Sequence, residues 1–176
     1  MERTRKGGAP FNTTLALQLS AVTKRKPYEE RTDLERIESQ WRKLSGLHSR
    51  EEWSAAIVRA ATAAEIAANL VVRKEFSVRS EFDAKFVNGL LKWANGLSGK
   101  LDRLLLPLFV GTKKHSSLKK LRDVGEQINR IRNDIVHRGI FCNETEAREI
   151  IAHSRKFVET LVRLYEPDFT LKEKKS

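Results

Sequence analysis

Residues 117–139 read SLKKLRDVGEQINRIRNDIVHRG, and this stretch decides the fold class. Its apolar residues recur at steps of three and four, the period that places side chains on one face of a helix. They are Leu121, Val124, Ile128, Ile131 and Ile135. Gly139 follows this pattern directly, at a position where glycine often ends a helix. We therefore expect an amphipathic helix from Ser117 to His137 that buries one face in an all-α protein.

The end of this helix carries the residue types of a phosphodiester-cleaving site. Arg132 can bind a phosphate through its planar guanidinium, and His137 can transfer a proton near neutral pH. Asn133 and His137 share the face opposite the core stripe, whereas Arg132 is expected about 60° from the centre of that stripe. The long arginine side chain can still reach the other two residues. The segment therefore gives rise to the hypothesis that these residues cleave RNA without a metal.

The spacing between this arginine and this histidine is not distinctive by itself. Arg148 precedes His153 by the same interval, and Arg42 stands at a similar interval before His48. His153 lies in the middle of a predicted helix, where we expect a surface or hydrogen-bonded histidine. The position of the motif in the fold must therefore distinguish it from these two pairs.

The rest of the chain predicts a bundle of about five to six helices and shows no alternating strand pattern of any length. The expected helices span residues 28–44, 49–76, 80–95, 101–109, 117–137 and 144–165. Two pairs have the spacing of N-terminal capping boxes: Ser49 with Glu52, and Asn143 with Glu146. Three glycines are expected to end or interrupt helices: Gly46, Gly96 and Gly99.

The second helix is rich in alanine and is expected to lie at the centre, because small side chains let helices approach closely. Its apolar face comprises Trp53, Ile57, Ala60, Ala61, Ala64, Ala68 and Val71. Glu65 lies on the flank of that face, where a carboxylate needs a partner or water, and Arg132 is a candidate partner. The third helix is expected to bury the face formed by Phe82, Phe86, Leu90 and Trp93.

The charge of the chain is concentrated in its ends. The 176 residues carry a net charge of +11, which favours an anionic partner such as nucleic acid. Residues 1–27 contribute +5 and residues 169–176 contribute +2, which leaves +4 for residues 28–168. We therefore expect a basic N-terminal arm (1–27), one helical domain (28–168) and a basic C-terminal tail (169–176). The apolar segment 15–19 is expected to dock on the helical body or on a partner.

A single cysteine excludes an internal disulfide framework and a cysteine-rich zinc site. Cys142 is expected to be a partly buried apolar residue rather than a nucleophile. No continuous apolar run approaches the length of a membrane span, and the basic N-terminus lacks the apolar core of a secretory signal. We expect a soluble cytoplasmic protein that has no membrane association, no metal and no cofactor.

Three features of the chain occur together: a helical body, a long alanine-rich second helix bearing Glu65, and Arg132-Asn133 followed by His137 at a helix end. In this combination the chain resembles a HEPN domain. The resemblance covers about residues 28–168. Members of this family are small α-helical bundles in which an arginine, usually followed by a polar residue, is separated from a histidine by four to six residues in total. Arg132, Asn133 and His137 match that degenerate motif, and its position before one more long helix gives it weight.

The resemblance implies a metal-independent endoribonuclease of the toxin or antiviral-defence type. Two protomers of such proteins pair so that both motifs face one cleft, and the ribose 2′-OH attacks the adjacent phosphate. His137 would act as general acid or base, Arg132 would stabilise charge on the phosphorane, and Asn133 would hold His137 or the phosphate. Glu65 would support the site. The implied partners are RNA, a second copy of the chain, and an antitoxin or regulatory protein.

A DNA-binding regulator is a weaker interpretation, because no helix-turn-helix spacing is present. Two other interpretations of the sequence remain open. In the first, the domain binds nucleotides or proteins without cleaving anything. In the second, His137 interacts only with the helix dipole and Arg132 pairs with Glu65 as a structural ion pair. Asp134 could also repel a phosphate from the motif.

Overall fold

The computed structural model describes residues 26–172. Residues 1–25 and 173–176, which include the apolar segment 15–19 and most of the two basic ends, lie outside the described residues. The chain divides into two units, Met1–Glu30 and Arg31–Ser176. The described part of the first unit contains a single turn of 3-10 helix, Tyr28–Glu30.

The described part of the second unit is built of six helical segments and has no strand, which confirms an all-α bundle of five to six helices. The segments are α1 (Asp33–His48), α2 (Trp53–Arg79), α3 (Ala84–Trp93), α4 (residues 96–108), α5 (His115–Arg138) and α6 (Glu144–Val162). Helix α4 is continuous but irregular, because a π-helical turn at Leu101–Leu105 joins the α-helical stretches Gly96–Lys100 and Leu106–Leu108.

Helix α2 is the centre of the bundle, as its composition predicts. It packs most closely against α1 and α6 and also contacts α5. The alanines that permit this approach are fully or almost fully buried: Ala56, Ala60, Ala61, Ala63, Ala64, Ala67 and Ala68. By length and composition alone α2 could cross a membrane, but 67% of its apolar window is buried inside the protein. Its apolar surface is thus used mainly for packing within the bundle.

The connection between α1 and α2 differs from the sequence prediction. Helix α1 continues through Gly46 to His48, and Ser49 caps its C-terminal end by donating to the Gly46 carbonyl. Glu51 has a positive φ of 61°, and the Glu52 side chain makes no cap hydrogen bond to α2. The predicted Ser49–Glu52 capping box is therefore wrong, because a turn of residues 49–52 must reverse the chain before α2 can begin.

Helix α3 buries a different face from the one predicted. Val87 and Leu91, one turn apart, lie in the core. Phe82, Phe86 and Trp93 are exposed, so the aromatic stripe faces away from the bundle. Asp83 caps the helix by accepting from the backbone N–H of Phe86, and Phe82 therefore precedes the helix rather than lying within it.

Gly96 interrupts the helices as predicted, with a φ of 70°, but Gly99 does not. Gly99 lies inside α4, and a Cβ atom there would stand 2.3 Å from the carbonyl oxygen of Ala94. The glycine therefore allows α4 to turn tightly under the end of α3. This turn carries residues 95–97 to the side of α5, where they form one wall of a cleft.

Helices α5 and α6 follow the prediction closely. Leu121 and Ile128 of the predicted stripe are buried, and Ile131 and Ile135 pack on a small second core of Ile57, Ala147 and Ile150. Gly139, with a φ of 67°, ends α5. The capping box of Asn143 and Glu146 is formed at the start of α6. Gly139 thus defines where α5 ends, and the capping box defines where α6 begins.

Candidate functional site

The end of α5 forms one wall of a cleft of about 440 Å³. Helix α2 forms the opposite wall, and the turn before α4 forms the third. The cleft is lined by Ala61, Thr62, Glu65, Asn95, Gly96, Leu97, Ile128, Asn129, Arg132, Asn133 and His137. All four residues that the sequence singled out, Arg132, Asn133, His137 and Glu65, therefore line one cavity.

Arg132 joins the three motif residues. One terminal nitrogen of its guanidinium donates to Oδ1 of Asn133 at 2.9 Å. The same nitrogen lies 3.3 Å from Nε2 of His137. Arg132 and Asn133 are partly buried, whereas His137 is exposed. The long arginine side chain thus reaches from the edge of the core to the outer face of α5.

The contact between Arg132 and His137 determines the role of the imidazole nitrogen. A guanidinium has only donors, so Nε2 of His137 must accept the hydrogen bond. In this arrangement the Nε2 lone pair is available to accept a proton once the guanidinium moves to another acceptor, such as a phosphate oxygen.

Glu65, which lines the cleft, forms an ion pair that the sequence did not predict. Nζ of Lys100 lies 2.7 Å from Oε1 of Glu65, and it is also 3.5 Å from the Gly96 carbonyl oxygen. Among the described residues no ion pair joins Glu65 to Arg132, so that proposed pairing is wrong. The reason is that α4 brings Lys100 under Glu65, which leaves the guanidinium of Arg132 to the motif residues.

Asp134 does not face the motif. Its carboxylate forms an ion pair with Arg138, one turn further along α5, at 3.0 Å, and it is absent from the lining of the cleft. The negative charge next to the motif is therefore compensated, and it lies away from the surface that a phosphate would approach.

Three exposed apolar residues flank His137 in the sequence. Val136 and Ile140 are exposed, and Phe141 is 91% exposed. We call these three residues the apolar patch. Where exposed apolar groups form a contiguous surface, they mark a site at which proteins associate. All three residues lie within four residues of His137 in the chain.

The two pairs that share the motif's spacing lack its geometry. Arg148 is bound to Glu144 on its own helix at 2.5 Å. His153 is half-buried, and its Nδ1 atom is buried without a hydrogen-bond partner among the described residues, which differs from the surface or hydrogen-bonded state expected. Arg42 is exposed, whereas His48 is half-buried and packs its ring edge-on against Trp53. Within residues 26–172 no hydrogen bond joins the two.

Cys142 behaves as an apolar residue, as its sequence context predicts. It is half-buried, and burial, followed by the charge of Glu146, raises the pKa of its thiol. A raised pKa keeps sulfur in the weakly nucleophilic thiol form. Within residues 26–172, no three His, Cys, Asp or Glu side chains are grouped closely enough to hold a metal ion.

Sequence reasoning did not single out Asn95 and Asn129, which line the cleft, or Lys100, which pairs with Glu65. Lys100 lies among leucines in the sequence, and its position under Glu65 depends on the tight turn at Gly99. Asn129 accepts a hydrogen bond from the backbone N–H of Leu97 at 3.3 Å and so fixes α4 to α5. Asn95 lies at the break before Gly96. The Asn95-Gly96 pair was a visible loop signal, but no local pattern links it to α5.

Comparison of the chain with models of protein families, with curated proteins and with solved structures gives no match.

Proposed function

We propose that this protein is a metal-independent endoribonuclease of the HEPN type, active as a homodimer. The observation that carries the proposal is the placement of the Arg132 guanidinium between Asn133 and His137 in one open cleft. These three groups supply a phosphate-binding cation, an imidazole and an orienting amide at one point on the surface. RNA is the substrate class that this combination suits best.

The proposed reaction breaks one phosphodiester bond by intramolecular attack. A phosphate oxygen takes the guanidinium of Arg132 away from His137, which frees Nε2. That nitrogen removes the proton of the 2′-OH, the 2′-oxygen forms a bond to phosphorus, and the bond from phosphorus to the 5′-oxygen breaks. The products are a 2′,3′-cyclic phosphate and a 5′-OH, and Arg132 stabilises the charge that develops on the phosphorane.

A second histidine completes the proton balance. The leaving 5′-oxygen needs a proton, and one neutral imidazole cannot supply it in the same step. Exposed His137 and the apolar patch favour a dimer in which the partner's His137 faces the same phosphate and, in its protonated imidazolium form, donates that proton as general acid. The patch offers the apolar surface that such pairing requires.

Cleavage of RNA in the presence of a chelator tests this function. We expect products with 2′,3′-cyclic phosphate ends, and we expect His137→Ala and Arg132→Ala each to lower kcat by about 100-fold or more. Arg148→Ala and His153→Ala are matched controls with the same spacing and should leave kcat unchanged. Retained cleavage in the His137→Ala, Arg132→Ala double variant, with the fold intact by circular dichroism, would disprove the assigned site.

The exposed patch also favours a second candidate, a non-catalytic module that binds another protein. Phe141 is almost fully exposed, and the cognate antitoxin or regulatory protein of such a module could cover it. This candidate predicts a monomer that cleaves no RNA and inhibits no growth on expression. A dimer that inhibits growth only when His137 is intact supports the ribonuclease instead.

A further inference from the structure

A second cleft continues from the motif cleft along α2. Its volume is about 550 Å³, and it shares Glu65 and Asn95 with the motif cleft. On its other sides it is lined by Asn69 and Arg73 of α2 and by Asn88 and Lys92 of α3. Glu65, Asn69 and Arg73 follow one another at one helical turn each, so this wall extends about 12 Å away from the motif.

The charge of the second cleft favours an anionic ligand. Three cations, Arg73, Lys92 and Lys100, line it with a single carboxylate, Glu65. Lys100 forms an ion pair with Glu65. Arg73 is held by Asp33 at 2.5 Å and by Asn88 at 3.1 Å. Lys92 makes no ion pair with any residue that the structure describes, and it therefore remains available to a phosphate.

The amides of the cleft suit the edge of a base. The exposed side chain of Asn95 makes no hydrogen bond within residues 26–172. Oδ1 of Asn69 is also without a hydrogen-bond partner in that part of the chain, so nothing fixes the orientation of this amide. An asparagine amide can donate to one atom of adenine and accept from its exocyclic amino group at the same time.

We propose that the second cleft binds the RNA nucleotide next to the scissile phosphate, with Lys92 on its phosphate and Asn95 reading an adenine base. The proposal rests on the proposed function, because the motif cleft defines where the scissile phosphate lies. Asn95 belongs to both clefts and stands where the neighbouring base would enter the second one. The chain would thus prefer to cleave beside adenine.

Binding of non-cleavable RNA to the full chain tests this site separately from the chemistry. Short oligoadenylate and oligouridylate with every 2′-OH methylated cannot undergo the proposed attack, and their affinities can be measured by fluorescence anisotropy over a range of salt concentrations. We expect the wild-type chain to bind oligoadenylate about tenfold more tightly than oligouridylate.

Each variant has its own expected result. Lys92→Ala should weaken both oligonucleotides and reduce the slope of log affinity against log salt by about 0.7, the value of one phosphate contact on a single strand. Asn95→Ala should abolish the preference for oligoadenylate. Lys43→Ala, which removes an exposed lysine of α1 outside both clefts, is the matched control and should change neither quantity.

The second cleft is overturned as a nucleotide site if the wild-type chain binds neither oligonucleotide. It is also overturned if Lys92→Ala keeps the wild-type salt slope or if Asn95→Ala keeps the adenine preference. Failure of the proposed function gives a different result, since unmodified RNA would then stay intact while the binding differences persist. Thermal melts of each variant show that the fold is retained.

Discussion

Lys100 and Glu65 form an ion pair whose two members have unequal access to water. Nζ of Lys100 lies 2.7 Å from Oε1 of Glu65, yet the side chain of Lys100 is only 5% exposed and that of Glu65 is 38% exposed. The carboxylate can therefore be solvated through the cleft, whereas the ammonium depends on its partner. This asymmetry predicts that removing Glu65 and removing Lys100 have unequal effects on stability.

Glu65→Ala should lower the free energy of unfolding by about 2 kcal/mol, because it leaves a buried ammonium without a counter-charge. Lys100→Met should cost less than about 1 kcal/mol, since methionine fills the same space and the carboxylate turns to water. Urea unfolding followed by circular dichroism measures both. An equal or greater loss in Lys100→Met would mean that the burial of Lys100 does not control the stability of the pair.

Gly99 is required by a close approach of backbones. A Cβ atom there would lie 2.3 Å from the carbonyl oxygen of Ala94, and neither atom belongs to a flexible side chain. Gly99→Ala should therefore destabilise the protein by about 2 kcal/mol or more, although alanine is the better helix former. It should also lower the rate of RNA cleavage, since the same turn positions the wall of the cleft.

Gly89 provides the matched control for this substitution. It lies within α3, and a Cβ atom there would meet no other atom within 4 Å. Gly89→Ala should therefore raise the free energy of unfolding by about 0.5–1 kcal/mol through helix propensity alone. If both variants shift stability in the same direction, the contact with Ala94 does not explain the role of Gly99.

Tyr165 predicts a loss of stability at high pH. Burial, followed by the hydrogen bond that its hydroxyl donates to Glu75, raises the pKa of this phenol well above its usual value. The unfolded chain, with an ordinary pKa of about 10, loses the proton first. The stabilising contribution is therefore complete below about pH 10 and falls as the pH rises towards the folded-state pKa.

Comparison with Tyr165→Phe isolates this effect, because lysines titrate alike in both proteins. Near neutral pH the variant should be less stable by about 1 kcal/mol, since Glu75 retains its ion pair with Arg79 at 2.6 Å. Above about pH 10 the difference between the two unfolding free energies should shrink. A difference that stays constant across this range would contradict the raised pKa.

Local sequence rules sufficed for the elements in which one face is apolar and the ends carry strong signals. The helix that ends at Gly139 and the helix that begins after Asn143 are of this kind, and both were placed to within a few residues. The cap at Thr32, whose side chain accepts from the backbone N–H of Glu35, obeys the same rule, although the prediction began α1 too early to include it.

Long-range geometry could not be predicted in the same way. Lys100 is far from Glu65 in the chain, and only the tight turn at Gly99 brings them together. In α3 the aromatic residues are larger than Val87 and Leu91, yet it is the smaller pair that is buried in the core. Which residue pairs with Glu65, and which face of α3 is buried, depend on how the helices are arranged. The sequence of a single helix does not contain this information.

Phe141 should contribute to association and not to the stability of the monomer, because it is 91% exposed. Phe141→Ser should leave the unfolding free energy unchanged within about 0.5 kcal/mol. In the proposed dimer it should weaken self-association and lower RNA cleavage in parallel, since each cleft then lacks the partner's His137. Analytical ultracentrifugation and cleavage assays at several protein concentrations measure both effects.

Val78→Ser is the control for this prediction. Val78 is also strongly exposed, but it lies near the end of α2 and outside the apolar patch, so its substitution should change neither association nor cleavage. High protein concentration should restore part of the activity of Phe141→Ser by mass action. If this variant remains fully active as a monomer, one copy of His137 suffices for the reaction and the composite dimer site is wrong.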